Sequence, residues 1–262
     1  MTGIYQEAWG QGEPIVMLHG WAMHTGIWRN FAKSLRHLAQ ERQVICLDLP
    51  GYGRSETVSP CNMELLVDAV QAALPPQPCA LVGWSLGGNI ALRLAEKYPQ
   101  QIQSLVLIAS NPHFLQIKQW PGVETQVLQE FAHNLQNNVT ATLLRFMSLQ
   151  LQGMIDMKAS FKQVKVAMQE CEPPRIDVLM GGLDILQNVD LRIALQDLSV
   201  PVQIILGKLD TLVPVEVSEF CRQLQQQAEI ELIDGAGHMP FISRQQQVSH
   251  LVHDFIKRSA GR

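Results

Sequence analysis

The pentapeptide Gly83-Trp84-Ser85-Leu86-Gly87 lies between an apolar run at 80–83 and a helical pattern over 87–98. It matches the G-x-S-x-G pattern, in which small flanking residues allow a sharp strand-to-helix turn that exposes the serine hydroxyl. The N-terminus of the helix that follows favours negative charge developing beside it. A surface serine would seldom fall by chance in this context, so the pattern predicts Ser85 as a nucleophile.

Short apolar runs bounded by turn residues recur on both sides of this pentapeptide. Nearly uninterrupted runs of this kind are typical of strands buried on both faces, as in a parallel sheet. Helical patterns alternate with them at 29–40, 62–74, 87–98 and 243–258, which indicates a mostly parallel, doubly wound α/β fold. The predicted strands are 14–18, 44–47, 80–83, 104–108, 202–206 and 229–233.

One long stretch, residues 112–186, interrupts this alternation. It shows helical periodicity, many Met and Gln residues, and breakers such as Pro121-Gly122 and Pro173-Pro174, without a clear strand-like run. A chain of 262 residues is also longer than the usual single domain of about 100–200 residues. We therefore expect a helical lid at 112–186 inserted into a core formed by 1–111 and 187–262.

Composition and charge exclude several classes of protein. The chain is 47% hydrophobic and 17% charged, which is typical of a globular protein with a large core. Its net charge of −4 provides no overall field that would attract nucleic acid. The N-terminus has no basic and apolar leader, and no apolar run approaches the roughly 18 residues that span a bilayer. The five cysteines are scattered without metal-ligand spacing, so we expect a cytoplasmic protein with reduced thiols, no metal site and no membrane contact.

A serine hydroxyl is a weak nucleophile, so it needs a base and a third group that orients the base. In the predicted order of serine, acid and histidine, Asp210 follows the strand at 202–206 and His238 follows the next strand. Asp234 is the alternative acid, but it precedes His238 by only four residues in the same loop. A separate loop can approach the imidazole from the side, which favours Asp210.

The loop Leu18-His19-Gly20-Trp21 after the first strand predicts the second half of an active site. An oxyanion hole needs two backbone N–H groups, one from the residue after the nucleophile and one from the loop after an early strand. These residues are Leu86 and Trp21. We expect His19 to brace this loop rather than to transfer protons, and 48–55 to support it.

These motifs together resemble the α/β-hydrolase superfamily across nearly the whole chain. The lid is more closely similar to one family in it, the pimeloyl-acyl-carrier-protein methyl ester esterases of biotin synthesis. The shared core segments are HGW at 19–21, DLPGYGRS at 48–55, GWSLGG at 83–88, LD at 209–210 and GHMPF at 237–241. The discriminating lid segments are WPG at 120–122, RFMSLQ at 145–150 and GGLDIL at 181–186.

The resemblance implies a monomeric serine carboxylesterase without a cofactor, which hydrolyses the methyl ester of a pimeloyl thioester on acyl-carrier protein. The family's acyl-pocket segment corresponds to residues 146–150. Its Phe and Met side chains would suit a flexible alkyl chain, although they could also simply pack the lid. The implied substrate-binding residues are Trp21, Ser85, Leu86, Phe146, Met147, Ser148, Leu149, Gln150 and His238.

The resemblance also implies a contact with the carrier protein. Family members use several lid arginines there; Arg145 matches one of these positions, Lys158 and Lys162 are lysines at two others, and Ala141 replaces a fourth. Lysine keeps the charge but lacks the bidentate geometry of arginine, so the mode of phosphate contact would differ.

A helical stripe in the lid points to the same partner independently of the resemblance. Its apolar residues recur at three- and four-residue steps and are flanked by three lysines, with no acid between 157 and 169. Such a basic face could receive an acidic carrier or a phosphate, or it could be a solvated lysine surface. The apolar residues are Met154, Met157, Phe161, Val164 and Met168, and the lysines are Lys158, Lys162 and Lys165.

The catalytic residues leave other functions open. A broad short-chain carboxylesterase and a carbon–carbon bond hydrolase would share the same triad and differ mainly in the lid. A catalytically inactive member that binds a small ligand as a receptor would be expected to lack one residue of the triad, whereas this chain has all three.

Overall fold

The structure is a computed structural model that describes residues 3–151 and 157–260, and of Met157 only the backbone. A seven-stranded sheet has the order β1-β3-β2-β4-β5-β6-β7. All neighbouring strands are parallel except β1 and β3. The strands are β1 (Gln6–Trp9), β2 (Glu13–Leu18), β3 (Arg42–Leu47), β4 (Cys79–Trp84), β5 (Ile102–Ile108), β6 (Val202–Gly207) and β7 (Glu229–Ile233).

All six predicted strands are confirmed, and β1 is an additional strand. Its sequence QEAW has no apolar run, and its residues alternate between exposed and half-buried. An edge strand with one partner needs little burial, so its signal in the sequence is weak.

The helices in the described ranges lie on both faces of the sheet and in the predicted lid. Each of the four predicted core helices is present within two residues of its expected bounds. The helices are α1 (Arg29–Leu38), α2 (Met63–Ala73), α3 (Leu86–Lys97), α4 (Thr125–Asn137), α5 (Val139–Gln150), α6 (Met157–Met168), α7 (Ile176–Asn188), α8 (Arg192–Gln196), α9 (Val217–Leu224), α10 (Pro240–Ser243) and α11 (Gln245–Ser259). None of them is both long enough and apolar enough to cross a bilayer.

The sheet buries both of its faces because successive side chains of a strand point to opposite sides. In β2, Ile15 and Met17 belong to the hydrophobic cluster that includes residues of α1 and α11. Val16 and Leu18 belong to the other cluster, which includes residues of α2 and α3. This two-faced burial explains why the strands are continuous apolar runs in the sequence.

The helices α4 to α7 lie between β5 and β6, where the lid is predicted, and α7 ends at Asn188, beyond the expected boundary at 186. Two hydrogen bonds from the loop after β2 hold these helices to the core. Trp21 Nε1–H donates to the carbonyl of Leu179 in α7 over 2.9 Å. His24 Nε2 donates to the carbonyl of Ala167 in α6 over 2.8 Å. The loop after β2 therefore positions the lid as well as the active site.

Candidate active site

Ser85 lies at the turn between β4 and α3 in a backbone conformation that side chains rarely adopt. Its φ is 54° and its ψ is −122°, so the residue is strained, as is common at functional sites. The backbone N–H of Ser85 donates to the carbonyl of Ile108 over 3.0 Å and holds the turn. Glycine is required at 87, because an added Cβ there would lie 2.3 Å from the carbonyl oxygen of His19. The G-x-S-x-G pattern thus reflects close packing between this turn and the loop after β2.

Asp210 and His238 form a buried pair on the loops that follow β6 and β7. His238 Nδ1 lies 2.8 Å from Asp210 Oδ2, and the two side chains are 2% and 0% exposed. The other carboxylate oxygen, Oδ1, accepts from the backbone N–H groups of Leu212 at 2.8 Å and Val213 at 3.0 Å. Three donors therefore fix the carboxylate, and the carboxylate fixes the imidazole.

A hydrogen bond ties the histidine loop to the serine turn. Trp84, next to Ser85, donates from Nε1 to the carbonyl of His238 over 2.8 Å, and the two rings lie 5.7 Å apart. The Ser85 hydroxyl itself makes no hydrogen bond to the part of the chain that the structure describes. Catalytic hydrogen bonds are often long or poorly aligned without substrate, so this geometry is compatible with a serine–histidine pair.

Asp234, the alternative acid, lies outside this arrangement. Its side chain is 85% exposed and forms an ion pair with Lys208, with 2.8 Å between Oδ1 and Nζ. The carboxylate that contacts His238 is that of Asp210.

The loop after β2 supplies the second half of the site. Its Gly20 is so close to the nucleophile that an added Cβ would lie 3.2 Å from Ser85 Cβ. Trp21 and Leu86 are buried, and no hydrogen bond within residues 3–151 and 157–260 uses the backbone N–H of either one. Two unpaired buried N–H groups beside a serine are what an oxyanion hole requires.

His19 braces this loop, and its partners define its tautomer. Nδ1 lies 2.8 Å from the carbonyl oxygen of Gly20, which can only accept, and Nε2 lies 2.9 Å from the N–H of Leu49, which can only donate. The ring is therefore neutral, with its proton on Nδ1. Burial lowers the pKa of His19 to about 4, which keeps the imidazole uncharged near neutral pH.

A small cavity of about 60 Å³ lies beside Ser85 and is lined almost entirely by apolar side chains. Three aromatic rings form part of its wall: the centroid of Trp21 is 5.0 Å from Phe146 and 5.5 Å from Phe131, and those two are 5.4 Å apart. The lining residues are Trp21, Ser85, Phe114, Val123, Val127, Leu128, Phe131, Phe146, Leu149, Leu183, Leu186 and Leu212.

Of the predicted acyl-pocket segment, Phe146 and Leu149 line the cavity, whereas Met147, Ser148 and Gln150 do not. Met147 is buried in the hydrophobic cluster that also contains residues of α6. Ser148 is exposed and donates to the carbonyl of Leu144, and Gln150 is buried. One helix presents only positions three or four residues apart to a cavity, so a continuous pentapeptide cannot line it.

Helices α4 and α7 contribute cavity walls that the sequence pattern did not predict. Leu128 and Phe131 of α4 and Leu183 and Leu186 of α7 each lie three residues apart, which is the spacing of one helical face. That spacing could have marked these side chains as buried, but not as neighbours of Ser85.

The cationic residues predicted for carrier contact lie on the lid surface. Arg145 in α5 and Lys158 and Lys162 in α6 are exposed, and none forms an ion pair with a described residue. Val164 of the apolar stripe is fully buried, so this face of α6 packs on the core. Met154 lies outside the described residues. The part of the chain that the structure describes contains no group of three or more His, Cys, Asp or Glu side chains that could hold a metal ion.

Comparison with known proteins identifies relatives over the whole chain. A family model for the alpha/beta hydrolase fold matches residues 13–245. A pimeloyl-acyl-carrier-protein methyl ester esterase from Methylococcus capsulatus is 35% identical over 257 residues, covering 98% of this chain and 100% of that protein. One from Nitrosomonas europaea is 37% identical over 248 residues, covering 94% and 97%.

Solved structures share the fold at lower identity. An esterase from Exiguobacterium antarcticum superposes with a TM-score of 0.88 at 22% identity, covering 98% of this chain and 96% of that one. A bromoperoxidase from Bacillus anthracis has a TM-score of 0.89, also at 22% identity, with the same coverage. An esterase and a bromoperoxidase thus share this architecture, so the fold alone does not determine the function.

Proposed function

The chain belongs to the alpha/beta hydrolase family and, within it, to the pimeloyl-acyl-carrier-protein methyl ester esterases, and on this basis we propose that it hydrolyses the methyl ester of a pimeloyl group carried by acyl-carrier protein, a step of biotin synthesis. The observation that carries the proposal is the position of Ser85, which lies against an apolar cavity next to a buried aspartate–histidine pair.

In the proposed acylation step, Asp210 holds His238 with its proton on Nδ1, so that Nε2 can accept the proton of Ser85. Ser85 Oγ then bonds to the ester carbonyl carbon, and the N–H groups of Trp21 and Leu86 stabilise the oxyanion. As the tetrahedral intermediate collapses, the bond to the methoxy oxygen breaks. The leaving group takes the proton from His238 and departs as methanol.

Deacylation repeats these steps with water. His238 accepts a proton from water, the hydroxide oxygen bonds to the acyl carbon, and the bond to Ser85 Oγ breaks as Ser85 recovers its proton. The product is a free carboxylate at the end of the pimeloyl chain, and the thioester to the carrier remains intact.

The apolar lining of the cavity supports a substrate that ends in a methyl ester. An alkyl chain with an uncharged ester can enter such a cavity without leaving a charge unpaired. The product ends in a carboxylate, and burying a charge without a partner is strongly unfavourable. The same lining that admits the ester therefore promotes release of the product.

The exposed cations of the lid support the carrier as the partner. Arg145, Lys158 and Lys162 have no acidic partner in the described part of the chain, so they are free to attract an acidic protein. We also include a monomeric state and a cytoplasmic location in this proposal.

The decisive experiment compares methanol release from carrier-linked methyl pimelate with hydrolysis of short free esters such as methyl butyrate. We expect a clear preference for the carrier-linked ester in kcat/KM. Ser85→Ala should abolish both activities in a folded protein, because it removes the nucleophile and little packing. Equal kcat/KM for both substrates would indicate a general carboxylesterase, and turnover by folded Ser85→Ala would exclude the serine mechanism.

A further inference from the structure

The cavity beside Ser85 is too small for the whole substrate. Its volume of about 60 Å³ lies well below the roughly 300–1,000 Å³ of a typical ligand site. A second space of about 350 Å³, the outer groove, lies between α4 and α5. Both spaces are lined by Val127, Phe131 and Leu149, so the outer groove and the nucleophile cavity adjoin at these side chains.

Beyond this shared wall, which Glu130 borders, the outer groove is lined mainly by polar side chains. Along α4, Phe131 is followed one turn later by Asn134, and along α5, Leu149 is preceded one turn earlier by Arg145 and two turns earlier by Ala141. At 1.5 Å per residue, the eight residues from Leu149 to Ala141 span about 12 Å. The groove thus leads from the wall that it shares with the cavity of Ser85 to polar side chains about 12 Å away.

The polar side chains of the outer groove that are free to bind a ligand include Asn134 and Arg145. The carboxamide of Asn134 and the guanidinium of Arg145 make no hydrogen bond to residues 3–151 or 157–260. The neighbouring asparagines are engaged: Asn137 Nδ2 lies 3.0 Å from His133 Nε2, and Asn138 Oδ1 accepts from the N–H of residue 141 over 3.0 Å. An amide of a ligand could therefore pair with Asn134 without displacing a contact within the protein.

We infer that the outer groove binds the pantetheine arm that joins the acyl chain to its carrier, with Asn134 hydrogen-bonded to an amide of the arm. In this arrangement the ester end occupies the inner cavity, the alkyl chain passes Phe131 and Leu149, and the amide-bearing arm lies in the polar part of the groove. The inference rests on the proposed function, because a free short ester has no group that would reach Asn134.

The test compares two substrates in matched variants. The substrates are the pantetheine thioester of methyl pimelate, without carrier protein, and methyl butyrate. Asn134→Ala should lower the ratio of their kcat/KM values about fivefold in favour of methyl butyrate, since a typical hydrogen bond contributes about that factor. Gln136→Ala is the control: it removes a similar exposed amide from α4 outside the groove and should leave the ratio unchanged.

An unchanged ratio in Asn134→Ala, or an equal change in Gln136→Ala, would overturn the assignment of the groove. The same would follow if the parental protein used the pantetheine thioester no better than methyl butyrate. Activity of the parental protein on the carrier-linked ester is a separate measurement, and its absence would overturn the proposed function itself. Coenzyme A carries the same pantetheine arm. A higher kcat/KM for the coenzyme A thioester than for the carrier-linked ester would mean that the arm comes from coenzyme A, and it would contradict the carrier protein as the partner.

Discussion

Replacing Asp210 with asparagine should nearly abolish catalysis while leaving the fold intact. Oδ1 of this carboxylate faces the N–H groups of Leu212 and Val213, which can only donate. The amide oxygen must therefore occupy this position, and the amide NH₂ group must face His238. It would donate to Nδ1 and place the imidazole proton on Nε2, where it blocks acceptance of the Ser85 proton.

The expected loss in kcat is about 10⁴-fold, as in other serine triads with this change, which corresponds to about 5.5 kcal/mol of activation free energy. Stability should change little, because the two backbone hydrogen bonds are kept and the side chains have the same shape. Steady-state hydrolysis of methyl butyrate gives kcat, and thermal unfolding followed by circular dichroism verifies the fold.

Asp234→Asn is the matched control, since it makes the same chemical change in an exposed carboxylate that pairs with Lys208. Its kcat should stay within about twofold of the parental value, because an exposed ion pair contributes little. If folded Asp210→Asn kept kcat within tenfold of the parental protein, or if Asp234→Asn lost more activity, the assignment of the acid would be wrong.

Two further predictions concern pH and the partner. Because burial lowers the pKa of His19 from 6.5 to about 4, the unfolded state binds a proton in this window that the folded state does not. Stability should therefore fall by about 3 kcal/mol as pH drops from 6.5 to 4, and His19→Gln should remove that part of the slope in urea unfolding. Joint replacement of Arg145, Lys158 and Lys162 by alanine should lower kcat/KM for the carrier-linked ester about 10- to 100-fold at low salt, and less at high salt, with methyl butyrate hydrolysis nearly unchanged. Equal loss of both activities would mean that these residues support the lid instead.

The geometry around Asp210 also shows where sequence reasoning reached its limit. Loop order favoured Asp210 over Asp234, but both carboxylates follow strands that end near His238. Only the folded loops reveal that one carboxylate is buried against the imidazole and the other is paired with Lys208 at the surface. The alternation of predicted strands and loops places each carboxylate in a loop. Tertiary packing then decides whether that carboxylate faces the imidazole or the solvent.

The sequence by itself determined six of the seven strands of the sheet, the turn at Ser85 and the chain order of the candidate triad residues. These features depend on local rules: apolar runs form buried strands, and glycines flank a sharp turn. The tertiary structure alone decided which lid side chains reach Ser85. Phe131 of α4 is 15 residues along the chain from Phe146, the nearest predicted substrate-binding residue, yet both side chains line the cavity. Met147, the next residue after Phe146, is instead buried in the other hydrophobic cluster. The spacing of apolar residues shows which face of a helix is buried, but it does not show which other helix packs against that face. That pairing is decided by how the lid helices fold onto one another.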